Sequence, residues 1–144
     1  MIDRAAETPL TRFRGWLFAA SIYNLAWRIG VILFPDALIA LLLLPPPRPA
    51  AFWQVVGMFV LVYAPAYAWA ARRPAAHAHL VLVGALGKTL GPAGFLVMLS
   101  TGELPLRFGV IIMTNDLIWW PAFGAYLRVA ARLHGGWRSF LLGD

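Results

Sequence analysis

The stretch His79–Ser100, HLVLVGALGKTLGPAGFLVMLS, decides how this chain folds. Its only charge is Lys88, and its only other polar side chains are His79, Thr89 and Ser100. At a rise of 1.5 Å per residue, an α-helix needs about 20 mostly apolar residues to cross a bilayer. The segment therefore reads as a membrane span, and Lys88 near its middle becomes the feature to be explained.

Three further windows meet the same criterion. They are Trp16–Phe34 (WLFAASIYNLAWRIGVILF), Ala51–Ala70 (AFWQVVGMFVLVYAPAYAWA) and Phe108–Leu127 (FGVIIMTNDLIWWPAFGAYL). Asn24 and Arg28 interrupt the first, so a retained span is expected there and not a cleaved leader. Asp36–Leu44 is too short to cross and stops at Pro45–Pro47, which suggests an interfacial or re-entrant helix. The expected fold is an all-α, integral membrane four-helix bundle occupying residues 1–144 as one domain.

Composition agrees. The chain has 144 residues, 61% hydrophobic and 12% charged, with a mean hydropathy of +0.73. Soluble domains carry about 25% charged residues. Cysteine is absent, which removes disulfide, thiolate-metal and thiol-redox chemistry. The net charge of +6 comes largely from Arg at segment ends. No basic stripe interleaved with aromatics is present, so no nucleic-acid partner is expected.

Orientation follows the Arg distribution. Arg4, Arg12, Arg14, Arg72, Arg73, Arg128, Arg132 and Arg138 fall on one side of the four spans, and Arg48 and Arg107 on the other. Both termini are thereby expected in the cytoplasm, with the chain in a bacterial-type inner membrane. Trp16, Trp53 and Trp69 lie at span margins, where aromatic anchors belong.

The polar residues inside the spans share a depth. Arg28 lies about 20 Å from the cytoplasmic face, Asp116 about 18 Å, and Lys88 and Asn24 about 14 Å. Asn115 adjoins Asp116. A charge at the bilayer centre costs about 2.5–3.5 kcal/mol even on the lenient insertion scale. Three such charges are expected to face inward together, with Asp116 accepting from Arg28 and Lys88 while Asn24 and Asn115 complete the hydrogen bonding. The sum of +1 suits an anionic or polar-headed ligand, such as a lipid, a quinone or a small anion. Trp119 and Trp120 either wall such a pocket or pack between helices. Tyr63 and Tyr67, one turn apart, are expected to pack toward the membrane.

Gly84, Gly87, Gly91 and Gly94 are spaced three, four and three apart, a smooth stripe that permits close helix packing. Pro65, Pro92 and Pro121 interrupt three spans, each freeing a carbonyl one turn earlier, which in lipid needs a new partner. Pro121 frees the carbonyl of Leu117, so a kink beside Asp116 is expected. His77 and His79 read as a solvated loop end. Gln54 reads as an interfacial hydrogen bonder. No catalytic nucleophile, paired carboxylate, metal-ligand set or cofactor motif is present, which points away from an enzyme.

The segments YNLAWRIGVILFP (Tyr23–Pro35), WQVVGMFVLVY (Trp53–Tyr63), LVGALGKTLGPAGF (Leu82–Phe95) and NDLIWWPAF (Asn115–Phe123) resemble the DoxX-like group of small bacterial membrane proteins. That resemblance implies a four-helix membrane bundle, in some members acting beside redox or quinone-linked partners. Two functions follow: a mid-membrane binding site, or a non-catalytic accessory subunit that stabilises a larger membrane complex. A membrane enzyme acting on lipid or quinone is the weakest reading. Expected partners are membrane lipid and either a larger complex or a homo-oligomer.

Reporter fusions test the topology. Fusions at the C-terminus and in the Arg72–Ala78 loop should report the cytoplasm, and fusions within Thr101–Arg107 the outside. A C-terminus on the outer side would contradict four spans.

Overall fold

The computed structural model describes residues 9–42, 44–45 and 49–143. Arg4, Arg48 and Pro46–Pro47, which entered the expectations above, lie outside them. Among the described residues the chain is helical with no strand. Helix α1 is Arg14–Leu33, followed by a short α2, Ala37–Leu41. Helices α3 (Ala50–Leu61) and α4 (Tyr63–Arg72) are separated only by Val62. Helix α5 is Ala78–Ser100. A 3-10 turn, Leu106–Phe108, leads into α6 (Gly109–Asn115). A second 3-10 turn, Leu117–Trp119, leads into α7 (Trp120–Leu133), and α8 is Trp137–Leu142.

Among the described residues, three helices are long and apolar enough to cross a membrane: Arg14–Leu33, Ala50–Arg72 (α3 and α4 together) and Ala78–Ser100. Their mean hydropathy is 1.4 to 1.7, yet only 22 to 28% of each is buried inside the protein. Large apolar side chains such as Phe59, Leu90 and Leu96 point outward. Apolar helices this little covered by their own chain are matched to lipid, and their backbone bonds are satisfied within each helix, as lipid demands. The protein is a membrane protein.

The fourth apolar window differs from expectation. It is not one continuous helix, because α6 ends at Asn115 and a 3-10 turn intervenes before α7. Asp116 sits at φ −119°, ψ −60°, away from regular helix values. The N–H of Trp119 then bonds the carbonyl of Asp116, three residues back, where a regular helix would reach back to Asn115. The expected kink at Pro121 is therefore a break five residues earlier. The carbonyl of Leu117, which Pro121 cannot serve, accepts from the N–H of Trp120 within the 3-10 turn. Beyond the break, α7 runs past the expected end at Leu127 to Leu133.

The main core gathers Leu17 and Ala20 of α1, Tyr67, Ala70 and Ala71 of α4, Val81 of α5 and Phe123, Tyr126 and Ala130 of α7. Small residues let these helices approach closely, and aromatic rings fill the remaining space. Tyr126 Oη donates to the carbonyl of Pro74, and Arg14 Nε donates to the carbonyl of Ala71 at 2.8 Å. Both bonds fasten the loop end of α4. Gly135 and Gly136, at φ +79° and +128°, turn the chain so that α8 inserts the fully buried Phe140. His79 stacks on Phe140, ring centroids 4.6 Å apart, with Nε2 2.6 Å from its carbonyl oxygen. His79 stays exposed, as a solvated residue, but it stands in the first turn of α5 and its imidazole also docks α8. The helix expected at Asp36–Leu44 is shorter, and Ile39 and Leu44 are buried against Ile111.

The glycine stripe of α5 is a set of sockets for side chains. A Cβ at Gly84 would collide with the Tyr67 ring, and one at Gly87 would stand 3.2 Å from Tyr63 Oη. Tyr67 is fully buried, so the membrane-facing reading of this pair is corrected: their rings point at α5. Gly94 has nothing within 4 Å of a Cβ position and does not belong to the packed stripe. Gly84→Leu should lower stability by about 1–3 kcal/mol through overpacking, whereas Gly94→Leu should match the parent. Thermal denaturation of the two variants in detergent checks this, and equal melting temperatures would contradict the socket.

Candidate functional site

Two interrupted backbones meet at the level of Lys88. Pro92 has no N–H, so the carbonyl of Lys88 lacks its helical donor; Trp120 Nε1 donates to it instead, at 3.0 Å. On the facing segment, the switch to 3-10 bonding releases the carbonyl of Asn115, and Lys88 Nζ donates to it at 2.5 Å. Each break is thus completed by a side chain from the other segment. In a membrane protein, irregular backbone at depth persists only with such partners.

The charged groups gather around this exchange. Asp116 Oδ1 lies 3.6 Å from Lys88 Nζ and accepts from Asn115 Nδ2 at 2.8 Å. Asn115 Oδ1 accepts from Arg28 Nη2 at 2.9 Å. Arg28 therefore reaches Asp116 through the Asn115 amide, where the sequence suggested a direct contact. The Asp116 carboxylate rests on Gly91, its Oδ2 2.7 Å from where a Cβ would stand. Asn24 Nδ2 caps the carbonyl of Ala20 in its own helix at 2.8 Å. Asn24, Arg28, Lys88, Asn115 and Asp116 are all buried, none above 8% exposed.

This centre forms one wall of a cavity of about 270 Å³. Asn24 and Arg28 enter it from α1, Trp53, Val56 and Val60 from α3, and Tyr63 and Tyr67 from α4. Gly84, Gly87, Lys88 and Gly91 enter from α5, and Phe108, Ile111, Ile112, Asn115 and Asp116 from the fourth segment. Two buried polar atoms on this wall have no hydrogen-bond partner: Arg28 Nε, a donor, and Asn24 Oδ1, an acceptor. Buried polar groups are seldom left unpaired without cause. Nε1 of Trp53, another lining residue, is likewise unpaired.

Trp119 and Trp120 do not line this cavity. Trp119 is buried between Tyr23 and Phe123, with ring centroids at 5.4 and 6.3 Å. Trp120 covers a separate crevice with Ala85 and Thr89. Of the two roles open to them, packing describes both, with a backbone bond added for Trp120. The aromatic walls are instead Trp53, Phe108, Tyr63 and Tyr67. Trp53 was read as an interfacial anchor, and it faces inward. Gln54 donates to the carbonyl of Ile32 at 2.9 Å, fixing α3 on α1 beside it. The tyrosines carried a usable signal: a one-turn pair opposite glycines one turn apart is a ridge matched to a groove.

Compared with known proteins, the chain matches no family model, no curated protein and no solved structure.

The geometry sets a hierarchy of couplings. Asp116→Asn leaves Lys88 without its counter-charge and should cost about 3–5 kcal/mol. Lys88→Met combined with Asp116→Leu should lose clearly less than the sum of the two single changes, as touching pairs do. Arg28→Met should couple more strongly to Asn115→Leu than to Asp116→Leu. Double-mutant cycles by denaturation in detergent read all three, and additivity for Lys88 with Asp116 would contradict the pair.

Proposed function

We propose that this is a small multi-pass protein of a bacterial-type inner membrane whose buried polar centre binds an anionic or polar-headed ligand. In this reading the fourth segment also crosses the bilayer, as a broken helix, giving a four-helix bundle with both termini cytoplasmic. The packing of α6 and α7 along α5 supports that arrangement, as does the presence on one core of residues from α1, α4, α5 and α7. The likeness to the DoxX-like group belongs to the same proposal.

The observation that carries the function is the unpaired pair of atoms on the cavity wall. Arg28 Nε and Asn24 Oδ1 are buried and without partners, on two residues that line the cavity. An ion cluster serving only to hold helices together would be expected to saturate its own donors and acceptors. Here two cations face one carboxylate, and the surplus positive charge borders the cavity. A ligand carrying an oxyanion would balance the charge and accept from Arg28, while Asn24 Oδ1 would take a donor from a ligand hydroxyl or an accompanying water.

Ligand binding to the native state raises stability by linkage, about 2.7 kcal/mol at a hundred times the dissociation constant. Sodium phosphate and sodium acetate, each titrated against the full chain in nanodiscs of zwitterionic lipid at constant ionic strength, should raise its melting temperature. Lys88→Met and Arg28→Gln should each suppress the shift. A shift that persists in both variants would place the anion elsewhere, and its absence at every concentration would count against the site.

A further inference from the structure

Toward the main core the polar cavity is closed by aromatic rings, and toward the Thr101–Arg107 loop Trp53 and Phe108 separate it from a second, apolar cavity of about 350 Å³. Toward the Thr101–Arg107 loop, Ile39, Leu44 and Ile111 form a buried apolar cluster, against which Trp53 and Phe108 meet edge-on at 6.4 Å. In the other direction the main core begins at once, with Tyr67 and Phe123 5.1 Å apart and Trp119 beside them. The remaining side lies between Val56 and Val60 of α3 and Gly87 and Gly91 of α5. Val56 is 44% exposed, and both glycines are partly exposed. Tyr63 and Asp116 rest on these glycines from one side, and α3 leans on α1 and not on α5. The cavity therefore opens sideways, onto the apolar surface that lipid covers.

We infer that, granting the binding site proposed above, its ligand is a long-chain carboxylate that enters from the bilayer through this side opening. The carboxylate lies against Arg28 Nε and Lys88, and the chain passes between Val56 and Gly91 to the lipid. One negative charge balances the surplus of one positive charge on the wall. The guanidinium edge matches a carboxylate in shape as well as in charge. Valines and glycines at the opening suit an acyl chain and offer nothing to a hydrated head, so the chain must trail outward. Partitioning into the bilayer concentrates the ligand in the lipid around the protein.

The test uses the full chain in nanodiscs of phosphatidylcholine and saturable binding of tritiated palmitate, with butyrate and methyl palmitate as competitors. Palmitate should bind, butyrate should compete on the order of a hundredfold more weakly because it buries little chain, and methyl palmitate should not compete. Arg28→Gln and Lys88→Met should each abolish binding; the first keeps a donor in place should the second fold poorly. Val56→Trp, at the exposed rim, should slow palmitate association at least about tenfold with an unchanged melting temperature. Butyrate competing as well as palmitate, with both lost in Arg28→Gln, would overturn the chain and the side opening while leaving the anion site in place. Palmitate association unaffected by Val56→Trp and by a second rim variant, Val60→Trp, would overturn the route. Binding of neither palmitate nor acetate would overturn the inference together with the reading beneath it.

Discussion

Lys88 and the Asn115–Asp116 break form a single exchange on which the rest of the structure depends. Pro92 strips the Lys88 carbonyl of its donor, and Trp120 supplies one; the 3-10 turn strips the Asn115 carbonyl of its donor, and Lys88 supplies one. In water either break would be solvated at little cost. Inside hydrocarbon each orphaned group costs several kcal/mol, so the two segments can be irregular only if they are together. The exchange therefore fixes the register of α5 against the fourth segment, and it does so at the place where a charge is needed.

From that register the site follows. The break swings Asp116 over Gly91, where the missing side chain leaves room for a carboxylate, and exposes the Asn115 amide to Arg28 on α1. One rotation of the fourth segment would lose both contacts. The same glycine face that accepts Asp116 accepts the rings of Tyr63 and Tyr67, so α4 is seated by the side of α5 that seats the carboxylate. The cavity is what remains beyond those rings, where α3 continues toward Trp53 while leaning on α1.

The polar centre also has a division of labour that a simple ion cluster would lack. Lys88 is committed twice, to a carbonyl and to a carboxylate. Arg28 is committed once, through Nη2, and Nε is left over. A group already holding the backbone together is poorly placed to exchange partners, whereas a guanidinium with a spare edge can take a ligand without disturbing the fold. Lys88 thus ties the two segments together, and Asn115 links Arg28 to Asp116.

The sequence by itself determined whatever depends on length along a helix. Apolar windows of about 20 residues gave the three spans, and the fixed rise of 1.5 Å placed Asn24, Arg28, Lys88, Asn115 and Asp116 in one slab. These quantities need no knowledge of neighbours. Tertiary structure decided whatever depends on rotation about the helix axes and on docking. It separated the chain at Asp116 where Pro121 alone suggested a kink, turned Tyr63, Tyr67 and Trp53 inward, sent Trp119 and Trp120 elsewhere, and routed Arg28 to Asn115. It also found α8, whose six residues are too few to announce themselves and which His79 holds in place. Hydropathy distinguishes lipid from water, and a protein interior as apolar as lipid looks the same to it. Which face of an apolar helix meets protein is therefore settled by the fit of a ring to a glycine or a carbonyl to a stray donor.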